Sequence, residues 1–143
     1  MFENIELIAL LNFVTSFLMM GVIITTQIVN YPLFLSISKN DFNNFHSKYV
    51  NKITAIVMPL MITELILSII LLISIQNYMT ILIFTTMSLI FISTIFIQVP
   101  IHKKIEKEAN KNLLNKLIQT NWIRTILWFI KSSASYNLIK GLL

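Results

Sequence analysis

The stretch Ile53–Ile75, ITAIVMPLMITELILSIILLISI, decides how the chain is read. It is long enough to cross the hydrocarbon core of a bilayer, which takes about 20 apolar residues. Glu64 sits near its middle. A carboxylate at that depth is costly unless it is paired, hydrogen-bonded, protonated or facing water. The rest of the sequence therefore has to supply its neighbours.

Composition agrees with a membrane setting. The 143 residues are 56% hydrophobic and 12% charged, with a mean hydropathy of +0.78. Soluble domains carry about 25% charged residues. A single domain, 1–143, is the natural count. Absence of cysteine excludes disulfides, thiolate metal sites and cysteine nucleophiles. The net charge of +5 is almost all lysine, with Arg124 the only arginine. Because the lysines gather between apolar runs, a nucleic-acid partner is not expected and a lipid bilayer is.

Upstream, residues 5–29 form a first apolar run. Glu3 and Glu6 replace the basic start of a signal peptide, so the run reads as a retained span that Asn30-Tyr31-Pro32 ends. Gly21 and Thr25 give it a small-residue helix contact. Next, Asn40 or Asp41 caps a short interfacial helix bearing Phe42, Phe45 and Tyr49, with His46 on the edge of that stripe. It leads into the span 53–75, kinked at Pro59.

Downstream, Gln76-Asn77-Tyr78 is a tight connector to a third span, 79–99, where Pro100 marks a kink or an end. Ile101–Ile118 reads as an amphipathic surface helix, and Thr120 or Asn121 caps a last span, 122–138. The expected fold is an all-α membrane protein. It is an antiparallel four-helix transmembrane bundle with short amphipathic interfacial helices. Three spans and a terminal surface helix is the alternative.

Lysines set the orientation. Lys39, Lys48, Lys52, Lys103, Lys104, Lys107, Lys111 and Lys116 fall in the segments 30–52 and 100–121. The positive-inside rule puts those loops in the cytoplasm and both termini outside the cell (inner) membrane. Glu64 then lies roughly 16 Å deep and Lys131 roughly 13 Å deep, entered from the same side. Matching depth predicts a buried ion pair. Its role is structural, or it holds a proton or a polar substrate; alternatively Lys131 snorkels outward beside a protonated Glu64.

A shallower polar group comprises Gln27, Tyr31, His46, Tyr49, Gln98, His102, Asn121 and Arg124. Every helix contributes, as expected of a pocket at a bundle mouth. His46 and His102 suit proton transfer, and Arg124 or Asn121 suits holding an oxyanion. Gln27, Tyr31, Tyr49, Gln98 and Trp122 complete a substrate-binding set. A metal on His46 and His102 is the less favoured alternative. Glu64 cannot join it, because a continuous helix separates His46 from Glu64 by about 27 Å. No phosphate-binding or nucleophile-elbow motif is present.

Several segments carry a resemblance: Gln27-Ile28-Val29-Asn30-Tyr31-Pro32-Leu33-Phe34, Phe45-His46-Ser47-Lys48-Tyr49, Pro59 with Glu64, Pro100-Ile101-His102, and Asn121-Trp122-Ile123-Arg124-Thr125 with Trp128. Through them the chain resembles small four-span bacterial membrane proteins similar to the anthrone-oxygenase-like family of unknown-function domains. The resemblance implies a four-helix membrane bundle with a polar pocket. In the anthrone-oxygenase branch it implies oxygenation of an aromatic polyketide. It points to Gln27, His46, Glu64, His102, Asn121, Trp122 and Arg124. Those relatives tend to carry arginine where this chain has Lys131. The expected function is a membrane-embedded oxidoreductase or oxygenase-like enzyme acting on a hydrophobic small molecule. The alternatives are a small-molecule or ion carrier, an oligomeric channel, or an accessory subunit of a membrane complex.

Overall fold

A computed structural model describes residues 4–142, and every described element is helical. The elements join into four rods: α1 (Ile5–Ser36), α2 (Lys39–Ile75), α3 (Tyr78–Lys107) and α4 (Lys111–Leu142). The first three are long and apolar enough to cross a membrane. At 1.5 Å per residue all four are longer than the roughly 30 Å hydrocarbon core. α1 packs on α2 and α4, and α3 also packs on α2 and α4, so the four close into a ring.

Pro32, expected to end a helix, and Pro100, expected to mark a kink or an end, both sit inside continuous rods. Ahead of Pro32 the helix widens over Thr26–Asn30, and the Tyr31 N–H reaches back five residues to the Thr26 carbonyl. Ahead of Pro100 the same happens over Thr94–Gln98, with the Val99 N–H on the Thr94 carbonyl. Proline lacks an N–H and its ring collides with the carbonyl four residues back. A wide turn placed just before it removes both problems. α1 thus runs on to Ser36, and α3 to Lys107.

The expected interfacial helices are absorbed in the same way. Residues 40–52 are the first turns of α2, which is unbroken through Pro59. Its cap is Ser38, whose Oγ accepts the Asp41 N–H at 3.3 Å, in place of Asn40 or Asp41. Ile101–Ile118 is divided between the end of α3 and the start of α4. The Asn110 side chain accepts the Leu113 N–H at 2.9 Å, so the turn there, not Thr120 or Asn121, starts the last rod. The stripe expected on a membrane surface is core instead: Ile101, Ile105, Leu114 and Leu117 pack with Tyr31, Phe34 and Phe42.

The α2–α3 connector is as short as expected. Gln76 takes a left-handed conformation, φ 50°, and Asn77 and Thr80 cap α3 reciprocally. Gly21 makes no close helix contact, since a Cβ there would meet nothing within 4 Å. The outward faces are largely apolar, α4 included: Ile123, Ile126, Phe129 and Tyr136 are exposed, while Asn121, Arg124, Lys131 and Ser135 are buried.

The wide turn in α3 sets the angular position of His102. Deleting the exposed Ile95 should take out the one residue that the wide turn absorbs, restoring ordinary helix with residues 99–107 still in phase. The melting temperature of the purified protein is expected to stay close to that of Ile95→Ala, which keeps the turn.

Candidate functional site

One face of α4 organises two polar centres. Asn121, Arg124, Trp128, Lys131 and Ser135 recur at three- and four-residue spacing and are all buried. The deeper centre holds Glu64 and Lys131, both wholly inaccessible. Lys131 Nζ donates to Glu64 Oε2 and, at 2.7 Å, to Ser16 Oγ. Ser16 Oγ in turn donates to Glu64 Oε2 at 2.8 Å, bridging the two charges. Thr15 Oγ1 donates to the other carboxylate oxygen.

Around this pair the neighbouring hydroxyl and amide groups are hydrogen-bonded, while Trp128 Nε1 has no partner among the described residues. Ser132 Oγ donates to the Ser16 carbonyl at 3.0 Å, Ser135 Oγ to Asn12 Oδ1 at 2.9 Å, and Ser68 Oγ to the Glu64 carbonyl at 2.7 Å. Lys131 Nζ also lies 5.7 Å from the Trp128 ring, a cation–π distance. Three rods are tied together at one level: α1 through Ser16, α2 through Glu64 and α4 through Lys131.

The second centre lies where α1 and α3 carry their wide turns. Tyr31 Oη is 3.0 Å from His102 Nε2, and His102 Nδ1 is 2.9 Å from His46 Nε2. The two imidazoles meet edge to edge through this hydrogen bond, with centroids 5.1 Å apart and planes 29° apart, and Phe42 stacks on His46. Beside this file, Arg124 Nη1 donates to Asn121 Oδ1 at 3.4 Å. Asn121 Nδ2 donates to Gln27 Oε1 at 2.8 Å, and Gln27 Nε2 to the Ile118 carbonyl at 3.1 Å. Gln98 Nε2 donates to Thr120 Oγ1 at 3.2 Å, and Asn30 Nδ2 to Tyr49 Oη at 3.3 Å.

Part of this group borders a cavity of about 310 Å³. Its polar end carries Tyr31, Tyr49, Gln98, His102 and Arg124; Val22, Val57, Met58 and Met61 are among its apolar walls. Such a volume is at the small end of ligand sites. This centre keeps more unused polar atoms than the deeper one: His46 Nδ1, Arg124 Nε and Gln98 Oε1 have no partner among the described residues.

Most of the expected site residues are brought together, with one exception and two changes of place. Trp122 is 49% exposed and does not border the cavity. It follows Asn121 by 100° of helix and precedes Arg124 by 200°, so it faces outward when they face in. Asn121 and Gln27 are buried behind Arg124 and hold it, without bordering the cavity. His46 stands behind His102.

The residues sequence reasoning passed over are Asn12, Thr15, Ser16, Ser68, Ser132 and Ser135. Their signal was spacing: Asn12 and Ser16, like Glu64 and Ser68, stand four apart and share a helix face. The histidine pair does not fit a shared metal ion. A metal needs both lone pairs converging on one point about 2 Å from each nitrogen. Here the two nitrogens face each other as hydrogen-bond donor and acceptor. No group of three or more His, Cys, Asp or Glu side chains gathers for a metal among the described residues.

Comparison of the chain with family models, with curated proteins and with solved structures finds no match. The site is therefore read from its own chemistry.

Breaking the deeper pair leaves an uncompensated buried charge. Lys131→Met is expected to cost about 3–5 kcal/mol in the denaturation midpoint of the detergent-solubilised protein. Glu64→Gln with Lys131→Met removes both charges and keeps an amide for Ser16, and should recover most of that loss.

Proposed function

We propose that the protein is a four-span membrane enzyme that binds a hydrophobic small molecule in the cavity and moves a proton at its polar end. In this reading α4 is the fourth span of an antiparallel bundle. Its charged residues turn inward, and Trp122, Ile123, Ile126 and Phe129 turn toward lipid. The lysine-rich ends of α2, α3 and α4, with the end of α1 that leads into α2, lie in the cytoplasm and both termini outside. The cavity mouth, marked by Lys103 and Glu106, then opens near the cytoplasmic interface.

The observation that carries the reading is the file Tyr31–His102–His46 ending on an apolar cavity. Each imidazole has one nitrogen that donates and one that accepts, and the roles exchange when a proton passes. With Nε2–H on both rings, the Tyr31 hydroxyl accepts from His102 and its own proton is free for the cavity. With Nδ1–H on both rings, Tyr31 donates to His102 instead. From the Nδ1–H state the file therefore takes a proton at Tyr31 Oη and holds it at His46 as an imidazolium, and it returns that proton by the reverse shift. Arg124, held by Asn121 and Gln27, faces charge developing on a ligand oxygen. An oxygenase-type redox step is what the family resemblance adds.

The carrier reading gains no support from the deeper pair. Neither Glu64 nor Lys131 borders the cavity, and Ser16 and Thr15 occupy their hydrogen bonds.

Mass spectrometry of organic extracts from the purified protein tests the binding half. A hydrophobic small molecule should accompany the wild type and be lost from Val57→Trp, which fills the cavity. Retention in that folded variant would place the ligand elsewhere. Tyr31→Phe and His102→Phe should keep the ligand, and its conversion should slow by about 100-fold or more.

A further inference from the structure

The cavity carries one fixed charge with nothing set opposite it. Arg124 is 7% exposed and borders the cavity, and its Nε has no partner among the described residues. Its side-chain hydrogen bond to the neutral amide of Asn121 is long, 3.4 Å, and its other polar neighbour, the Tyr31 hydroxyl, is neutral too. The single ion pair among the described residues joins Lys131 to Glu64, so no carboxylate lies within 4 Å of the guanidinium. Glu106 also borders the cavity, but it is exposed at the mouth next to Lys103. A guanidinium does not give up its proton, so burial cannot be relieved by neutralisation. A buried cation without a counter-charge is costly.

We infer that the ligand is an anionic amphiphile with one short hydrocarbon chain, its carboxylate seated on Arg124. This rests on the reading of the cavity as the ligand site. One guanidinium balances one negative charge, and its planar fork matches a carboxylate with two parallel N–H donors. The Tyr31 hydroxyl at the same end supplies a further donor. The chain lies along Val22, Val50, Ile53, Val57, Met58 and Met61. A cavity of about 310 Å³ is at the small end of ligand sites. That suits a single chain of medium length and not a two-chain phospholipid. Lys103 at the mouth favours the approach of an anion.

The full-length protein, immobilised in digitonin, is tested with radiolabelled decanoate, with unlabelled decanol and decyltrimethylammonium as competitors. Decanoate should bind saturably at one site. Decanol should compete at least about ten-fold more weakly, and the cationic amphiphile not at all. Arg124→Gln should weaken decanoate at least about ten-fold and leave decanol unchanged; Arg124→Lys should fall between. Decanol matching decanoate on the wild type would overturn the anion assignment while leaving the cavity as the site, and this comparison needs no variant to fold. Decanoate bound equally well by Arg124→Gln would do the same. Saturable binding undiminished in Val57→Trp would remove the cavity itself, and no saturable binding of any probe would overturn both.

Discussion

The bridge from Lys131 through Ser16 to Glu64 is the constraint on which the other helix positions depend. An ionised side chain in a low-dielectric interior is tolerated only with a counter-charge and with its remaining hydrogen bonds made. Lys131 and Glu64 supply each other's counter-charge, and Ser16 completes the hydrogen bonds: its oxygen accepts from the ammonium while its hydrogen goes to the carboxylate. The three partners come from three rods, so rotating any one of them by a single residue step would strand a charge. Asn12, Ser68, Ser132 and Ser135 extend the same level of polar contacts. Buried amide, hydroxyl and ionic groups fix the register of packed helices in this way, where apolar contacts alone would tolerate sliding.

The cavity centre follows the opposite rule. There the helices are held by aromatic packing around Phe34, Phe42 and the histidines, and several polar atoms stay unused. Two wide turns, one in α1 and one in α3, place Tyr31 and His102 within hydrogen-bonding distance. Wide turns cost regular hydrogen bonding and are concentrated at functional sites. The protein thus spends its regularity at the cavity and keeps it around the ion pair. The contrast between a largely satisfied centre and a less satisfied one is the physical basis for assigning structure to the first and ligand chemistry to the second.

Much of this was legible in the sequence. Glu64 and Lys131 matched because depth in a helix is simple arithmetic, and the cluster around His46, His102 and Arg124 followed from where apolar runs end. Ser16 was not legible, because a lone serine in an apolar helix has the same pattern whether it packs or bridges charges. Pro32 and Pro100 misled, because the rule that proline ends a helix does not count a wide turn that absorbs it. Trp122 misled for a different reason: nearness in sequence to Asn121 and Arg124 is not nearness in space at 100° per residue. Ile101–Ile118 misled twice: the segment is divided between two rods, and the apolar side expected to face lipid packs into protein core.

The central claim is that α4, by turning Arg124 and Lys131 inward, crosses the bilayer despite its charges. The chain has no cysteine, so a single one introduced at Lys111 or at Lys140, both exposed, reports its own side of the membrane. With a membrane-impermeant maleimide, Lys111→Cys should react only from the cytoplasmic face and Lys140→Cys only from the outside. Labelling of both from the same face would contradict a fourth span and leave α4 lying along one side of the other three.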